Sequence, residues 1–202
     1  VAGSGIVEYA SAEPRFAIGF AGTKMSVSAF KRIWPAMMAP AVRAWVLERV
    51  DSGTVHRFDL GLTAPLNAFG RESQPLQDDA LSLDVVASDV TLRPVASLPE
   101  LRDTDIRVRV TGRTATVTAN QANIETPGGR KLTLHDLVFE VPDTTIKPAR
   151  ARARFRAEGP VPAGAELLSM DQVSGFPDTP LDPQASKGTL SAKIGLELPL
   201  KG

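Results

Sequence analysis

Cysteine is absent from this chain of 202 residues, histidine occurs only twice, and aromatic residues make up 5%. Without cysteine there is no disulfide framework, no thiol nucleophile and no thiolate metal site. With only His56 and His135, imidazole chemistry has very few candidates, and the composition leans away from an enzyme. No charge of one sign predominates. The 23 basic and 23 acidic side chains cancel, which leaves no electrostatic footprint for nucleic acid or for an acidic membrane surface. No apolar run approaches the roughly 18 residues of a membrane-spanning helix. Val1 stands where an initiator methionine would, and we read the chain as a processed product or a segment of something longer.

What is present is an aliphatic chain, 43% apolar, whose dominant pattern has period two, the mark of strands with one apolar face. Phe58, Leu60 and Leu62 alternate with Arg57, Asp59 and Thr63; Leu81, Leu83, Val85 and Ala87 alternate with Ser82, Asp84 and Ser88. Ile106, Val108 and Val110 alternate with arginines, and Ala115, Val117 and Ala119 with threonines. The segments 105–111 and 114–120 form a predicted hairpin around Gly112-Arg113, because glycine takes positive φ cheaply. Leu132 to Val141 is apolar on both sides and reads as a more covered strand. Ala149 to Ala157 sets four alanines and Phe155 on one side against Arg150, Arg152, Arg154 and Arg156 on the other. Leu190, Ala192, Ile194, Leu196, Leu198 and Leu200 end the series; Phe16, Ile18 and Phe20 alternate weakly, and a short strand fits Ile6 to Ala10. The pattern predicts about eight strands.

Helices are few. Ser28 is a predicted cap for Ala29 to Trp34, with Pro35 as the stop. Pro40 suits a first helical position and opens a predicted helix at about 40–49, in which Val42, Trp45, Val46 and Arg49 share one face. A short helix is predicted at about 163–170. The proline-rich stretch 171–187 reads as a loop or linker.

Candidate chemistry is sparse. Gly3-Ser4-Gly5 lacks the strand–turn–helix setting of a nucleophile elbow and sits at what reads as a frayed terminus. His56 and His135 have no ligand-spaced partner. Asp78, Asp79 and Asp84 cluster without the glycine and glutamate of a calcium loop, so a solvated loop is favoured. The four arginines of the comb stand about 6.5–7 Å apart along one strand face; they suit a solvated outer surface better than a row of phosphates. The apolar faces remain. Two helical pieces cannot cover about eight strands, so the sheet must either fold on itself as a sandwich or curl into a trough. Pattern alone favours an ordinary core.

The order of elements resembles the AsmA-like proteins of Gram-negative bacteria, in particular the YhdP-like branch. The resemblance rests on Trp34-Pro35 followed by Pro40 to Glu48 and Gly53; on Leu98-Pro99-Glu100-Leu101-Arg102-Asp103 before Ile106 to Gly112; on Gly159-Pro160 with Leu167-Leu168; and on Gly188 to Leu200, which closes with Leu198-Pro199-Leu200. It runs from about Ser28 to Leu200, most of the chain. It implies a mainly β fold, a long curved antiparallel sheet forming an open groove within a repeating β-groove rod. In this family such rods are periplasmic, tethered to the inner membrane, implicated in carrying phospholipid to the outer membrane, and without catalytic residues or cofactors.

Under this reading 1–27 ends a preceding unit, 28–170 is a helix plus β-groove unit, and 188–202 opens the next. The expected lining for acyl chains is Phe58, Leu60, Leu62, Leu83, Val85, Ile106, Val108, Val110, Phe155, Ile194 and Leu196. Expected partners are phospholipid acyl chains, neighbouring segments of a longer chain and envelope proteins, with no nucleic acid, no metal and no enzymatic activity. The competing expectation is a structural or assembly module whose apolar face is filled by protein. An outer-membrane barrel is disfavoured by the missing aromatic girdles and the helices.

Overall fold

In the computed structural model the described residues are 1–8, 14–34, 40–65, 76–94, 98–146, 148–170 and 182–200. They form one nine-stranded antiparallel sheet in which every strand pairs with its neighbours in sequence, in the order β1 to β9. The strands are β1 (Ala2–Glu8), β2 (Arg15–Ser26), β3 (Val50–Pro65), β4 (Leu81–Leu92), β5 (Leu101–Thr111), β6 (Ala115–Glu125), β7 (Lys131–Val141), β8 (Arg150–Pro160) and β9 (Thr189–Pro199). β1 pairs only with β2, and β9 only with β8. The sheet is therefore open, a curved single layer, and mainly β. Hydrogen bonding continues across the divisions expected at 27/28 and 187/188.

The expected hairpin is present but longer, pairing Leu101–Thr111 with Ala115–Glu125. Its turn is closed by the Thr111 amide donating to the Thr114 carbonyl at 2.9 Å. Gly112 is required there because a Cβ would run into the Gln77 backbone. The N-terminus holds two full strands, and Gly3-Ser4-Gly5 is not frayed but paired with Ile18 to Phe20. Tyr9, Ala10, Pro35 and residues 171–181 of the expected loop lie outside the described residues.

Among the described residues three helices interrupt the meander: α1 (Val27–Ile33), α2 (Pro40–Arg49) and α3 (Val161–Leu168). The cap of α1 is Ser26 rather than Ser28; its hydroxyl accepts from the Ala29 amide at 3.2 Å. α3 starts two residues earlier than expected, because Pro162 lies in the first turn, where a missing N–H costs nothing. The expected packing face of α2 is only half correct. Val46 packs against the sheet, but Val42 and Trp45 are 51% and 42% exposed. A helix of ten residues at the margin of a sheet meets it with only part of one face.

All three helices lie along the same margin. Ser26 is opposite Thr54, Val50 opposite Leu92, Leu92 opposite Leu101, Leu101 opposite Ile124, Ile124 opposite Leu132, and Gly159 opposite Leu190. These strand ends form one edge of the trough, and the helices leave from it or return to it. On the opposite margin the described residues include a 3₁₀ turn, Asp78–Ala80.

Three aspartates, Asp89, Asp103 and Asp136, have φ of 53°, 54° and 54°, the left-handed region that aspartate tolerates better than most residues. Each sits at a slip in strand register, between Ala87 and Val90, between Val90/Thr104 and Leu92/Leu101, and between His135 and Val138. Such bulges bend and twist a strand, and they reset its alternation. In β4 the apolar series passes from Leu81, Leu83, Val85 and Ala87 to Val90 and Leu92; in β7 it passes from Leu132 and Leu134 to Leu137, Phe139 and Val141. β7 is therefore not apolar on both sides, as its composition suggested. It is an alternating strand whose phase changes at Asp136.

Candidate functional site

The register collects the apolar positions into continuous rows across the sheet. One row runs Gly22, Phe58, Val85, Val108, Val117, Phe139, Ala153, Leu196 from β2 to β9. A second runs Gly3, Phe20, Leu60, Leu83, Val110, Ala115, Val141 from β1 to β7. Neither row contains a charged or amide side chain. Eight interstrand steps at about 4.8 Å give the apolar face a length of about 38 Å across the strands.

Cover over this face is uneven. Near the helix-bearing margin, Val27, Phe30 and Val46 of α1 and α2 pack on Val50, Val55, Phe58, Val85, Ala87 and Val90. Phe30 meets the Phe58 ring edge-on at 5.3 Å and the Trp34 ring at 5.6 Å. The Phe58 ring also lies over Gly22, where any Cβ would collide with it. Farther along the same margin, α3 covers Ala122, Ile124, Leu132, Leu134 and Ala157 through Ala163 and Leu167. Between the two margins the face is half-buried, including Leu60, Leu83, Val108, Val110, Val117, Phe139, Ala153 and Leu196. At the margin opposite the helices it is buried again, at Leu62 and Ala64 and in a cluster of Val141, Ala149 and Ala151. Among the described residues, the largest side chains exposed by less than 2% are Val55, Val90 and Thr104, with no leucine or aromatic among them. A compact protein of this mass would expose about 9,200 Å²; this chain exposes 12799 Å². The excess is in the direction expected of a sheet without a second layer.

Of the eleven expected lining residues, all on the apolar side of their strands, Phe58, Leu62 and Val85 are buried. Leu60, Leu83, Ile106, Val108, Val110, Phe155, Ile194 and Leu196 are half-buried. The register adds Phe20, Val117, Phe139 and Ala153 to the same surface. Val117 was legible in the alternation of β6. Phe139 was hidden by the phase change at Asp136.

The outer face carries the charge. The comb arginines point outward from β8 and pair with acids: Arg152 with Glu197 at 3.3 Å, Arg154 with Glu140 at 3.5 Å, and Arg156 with Glu158 at 3.3 Å and Asp136 at 3.6 Å. Arg150 reaches Glu197 at 3.9 Å. The comb is thus a set of interstrand ties on a wet surface. Asp84 is the most heavily paired acid there, with Arg107 at 2.7 Å, Arg57 at 3.1 Å and Arg109 at 3.3 Å. Its carboxyl is held below the ordinary aspartate value, first by the hydrogen bond from Arg107 and against a smaller opposing effect of burial. Glu100 is lowered likewise, by Arg93 and then Arg102.

The remaining candidates are placed apart from one another. His56 Nε2 lies 2.8 Å from Ser88 Oγ, and His135 Nε2 lies 3.6 Å from Glu158 on the outer face. Asp78 accepts from the Thr111 hydroxyl beside the hairpin turn, whereas Asp84 belongs to the outer face of β4 and not to that loop. Among the described residues no group of three His, Asp or Glu side chains is arranged to hold a metal ion, and no helix is long and apolar enough to cross a membrane.

Comparison with protein-family models, characterised proteins and solved structures finds no match for this chain.

Proposed function

We propose that this chain is a periplasmic segment of an AsmA-like lipid conduit, in which phospholipid acyl chains lie in the trough and slide along the rows from strand to strand. The observation that carries the reading is the apolar face itself. It is uncharged along rows of seven and eight strands, yet only half-buried between its margins. Each methylene withdrawn from water contributes about 0.8 kcal/mol, so an acyl chain is retained. Because aliphatic contacts are non-directional, motion along the rows meets no fixed partner. Head groups remain at the margins, in water, and the paired arginines and acids keep the convex side wet. Neighbouring segments of a longer chain would continue the trough across the cell envelope.

Photocrosslinkers at Val108 and Ile194, activated in cells, test this reading directly. Phospholipid adducts at both positions are the expected result. Adducts to protein alone would support the competing reading, a structural or assembly module whose apolar face is covered by a partner. Val108→Asp should stop lipid passage while the segment still unfolds cooperatively, since the new carboxylate can reach water.

A further inference from the structure

The two helical covers are attached to the sheet by different physics. α1 and α2 are held by large apolar side chains, Val27, Phe30 and Val46, with the Phe30–Phe58 ring contact at their centre. α3 meets the sheet mostly through small residues: Ala163 and Ala165 are its buried positions, Gly164 admits a Leu190 methyl where a Cβ would clash, and Leu167 is the one large side chain of α3 packed there. Alanine withdraws little area from water, so its apolar hold is weak. To this limited apolar hold α3 adds one carboxylate. Glu166 accepts from the Thr126 hydroxyl and from the Arg130 guanidinium, and from the Gly128 amide at 3.3 Å. All three donors belong to the β6–β7 turn, which is itself braced by the Thr126 amide to the Arg130 carbonyl and the Gly129 amide to the Thr126 carbonyl, both at 2.8 Å. Glu166 also sits in the C-terminal half of its helix, where the helix dipole disfavours a negative charge, so the donors compensate a placement that is otherwise unfavourable.

We infer that α3 is a latched lid over the helix-bearing margin of the trough, with the Glu166 clasp on Thr126, Gly128 and Arg130 as the latch. Released, it uncovers Ile124, Leu132 and Leu134 and joins them to the half-exposed rows, opening a lateral entry for an acyl chain. The lid rests on the lipid reading of the apolar face, but its movement is measured without lipid.

The test is Glu166→Gln in the full chain, followed by amide hydrogen exchange and by uptake of a fluorescent 12-carbon fatty acid. Exchange at 161–168 should quicken at least tenfold while β3, β4 and α1 keep wild-type protection, and probe uptake should become several-fold faster. Arg130→Gln, which acts from the turn side, should do the same. Unchanged exchange in both variants overturns the lid and leaves the trough reading intact. Faster exchange with unchanged uptake also overturns it, since a loosened helix would then be no gate. If neither wild type nor variants take up the probe at any concentration, the trough reading fails and takes the lid with it, whatever the exchange shows.

Discussion

Along the margin that carries the helices, the apolar face is dry: Val55, Val90, Leu132 and Leu134 are each at most 5% exposed. Farther across, the same alternation leaves Leu60, Leu83, Val110, Val117 and Leu196 only half-buried, before Leu62, Ala64, Val141 and Ala151 are buried again at the far margin without a helix. The two regions differ in cover and not in pattern. Alternation determines which face of a strand is apolar; whether that face is covered depends on elements from elsewhere in the chain. Among the described residues the helices that cover this face all lie on one side, placed there by the phase of the meander.

The largest test of this contrast removes the ring that joins the helices to the sheet. Phe58→Ala should cost about 3–5 kcal/mol in chemical denaturation, because Phe58 is 5% exposed and contacts Phe30. A loss below about 1 kcal/mol would show that α1 and α2 do not dry this margin. A matched pair sharpens the comparison. Leu132→Ala should cost about 2–5 kcal/mol, and Leu196→Ala, which removes a side chain already half in water, well under half as much. Equal losses would mean that the bare region is as well packed as the covered one.

A smaller effect concerns cohesion where no helix braces the sheet. Asp84 ties β4 to Arg57 on β3 and to Arg107 and Arg109 on β5. Its pKa is depressed in the folded state, so its contribution is complete above the ordinary aspartate value and is lost as pH falls through the lowered one. Asp84→Asn should remove that part of the acid sensitivity, leaving a shallower fall in stability below the usual carboxylate range. An unchanged acid slope in denaturation midpoints would show that the three arginines do not stabilise the charged carboxylate. Because these groups are largely solvated, the effect should be the smallest of the three.

The strands and the apolar side of each were legible in the sequence, and so was the hairpin at Gly112. Less legible was anything that depends on a change of phase. A bulge residue shifts the series by one, and in β7 that shift made an ordinary half-covered strand read as covered on both sides. The signal was present as Asp136 between Leu134 and Leu137, and again as Asp89 between Ala87 and Val90. Which apolar residues would be wet could not be read at all. Val85 and Val108 are direct partners in one row, yet Val85 is buried inside the helix-side cluster and Val108 is half-buried at its edge. The arginine comb presented the opposite case. Its spacing was plain in the sequence, while the acids that satisfy it come from β7 and β9 through register and, for Arg156, also from Glu158 on β8 itself.

The strict meander order of the sheet also bears on how the molecule is made. Every strand finds its partner in the segment just synthesised, so no pairing waits for a distant part of the chain, and loop-closure cost stays low at every step. Assembly can therefore proceed strand by strand from the N-terminal side as chain becomes available. It also leaves a growing edge strand with open hydrogen bonds at each stage. A sheet built in this way has no built-in final strand, and its length is a property of how much chain is supplied.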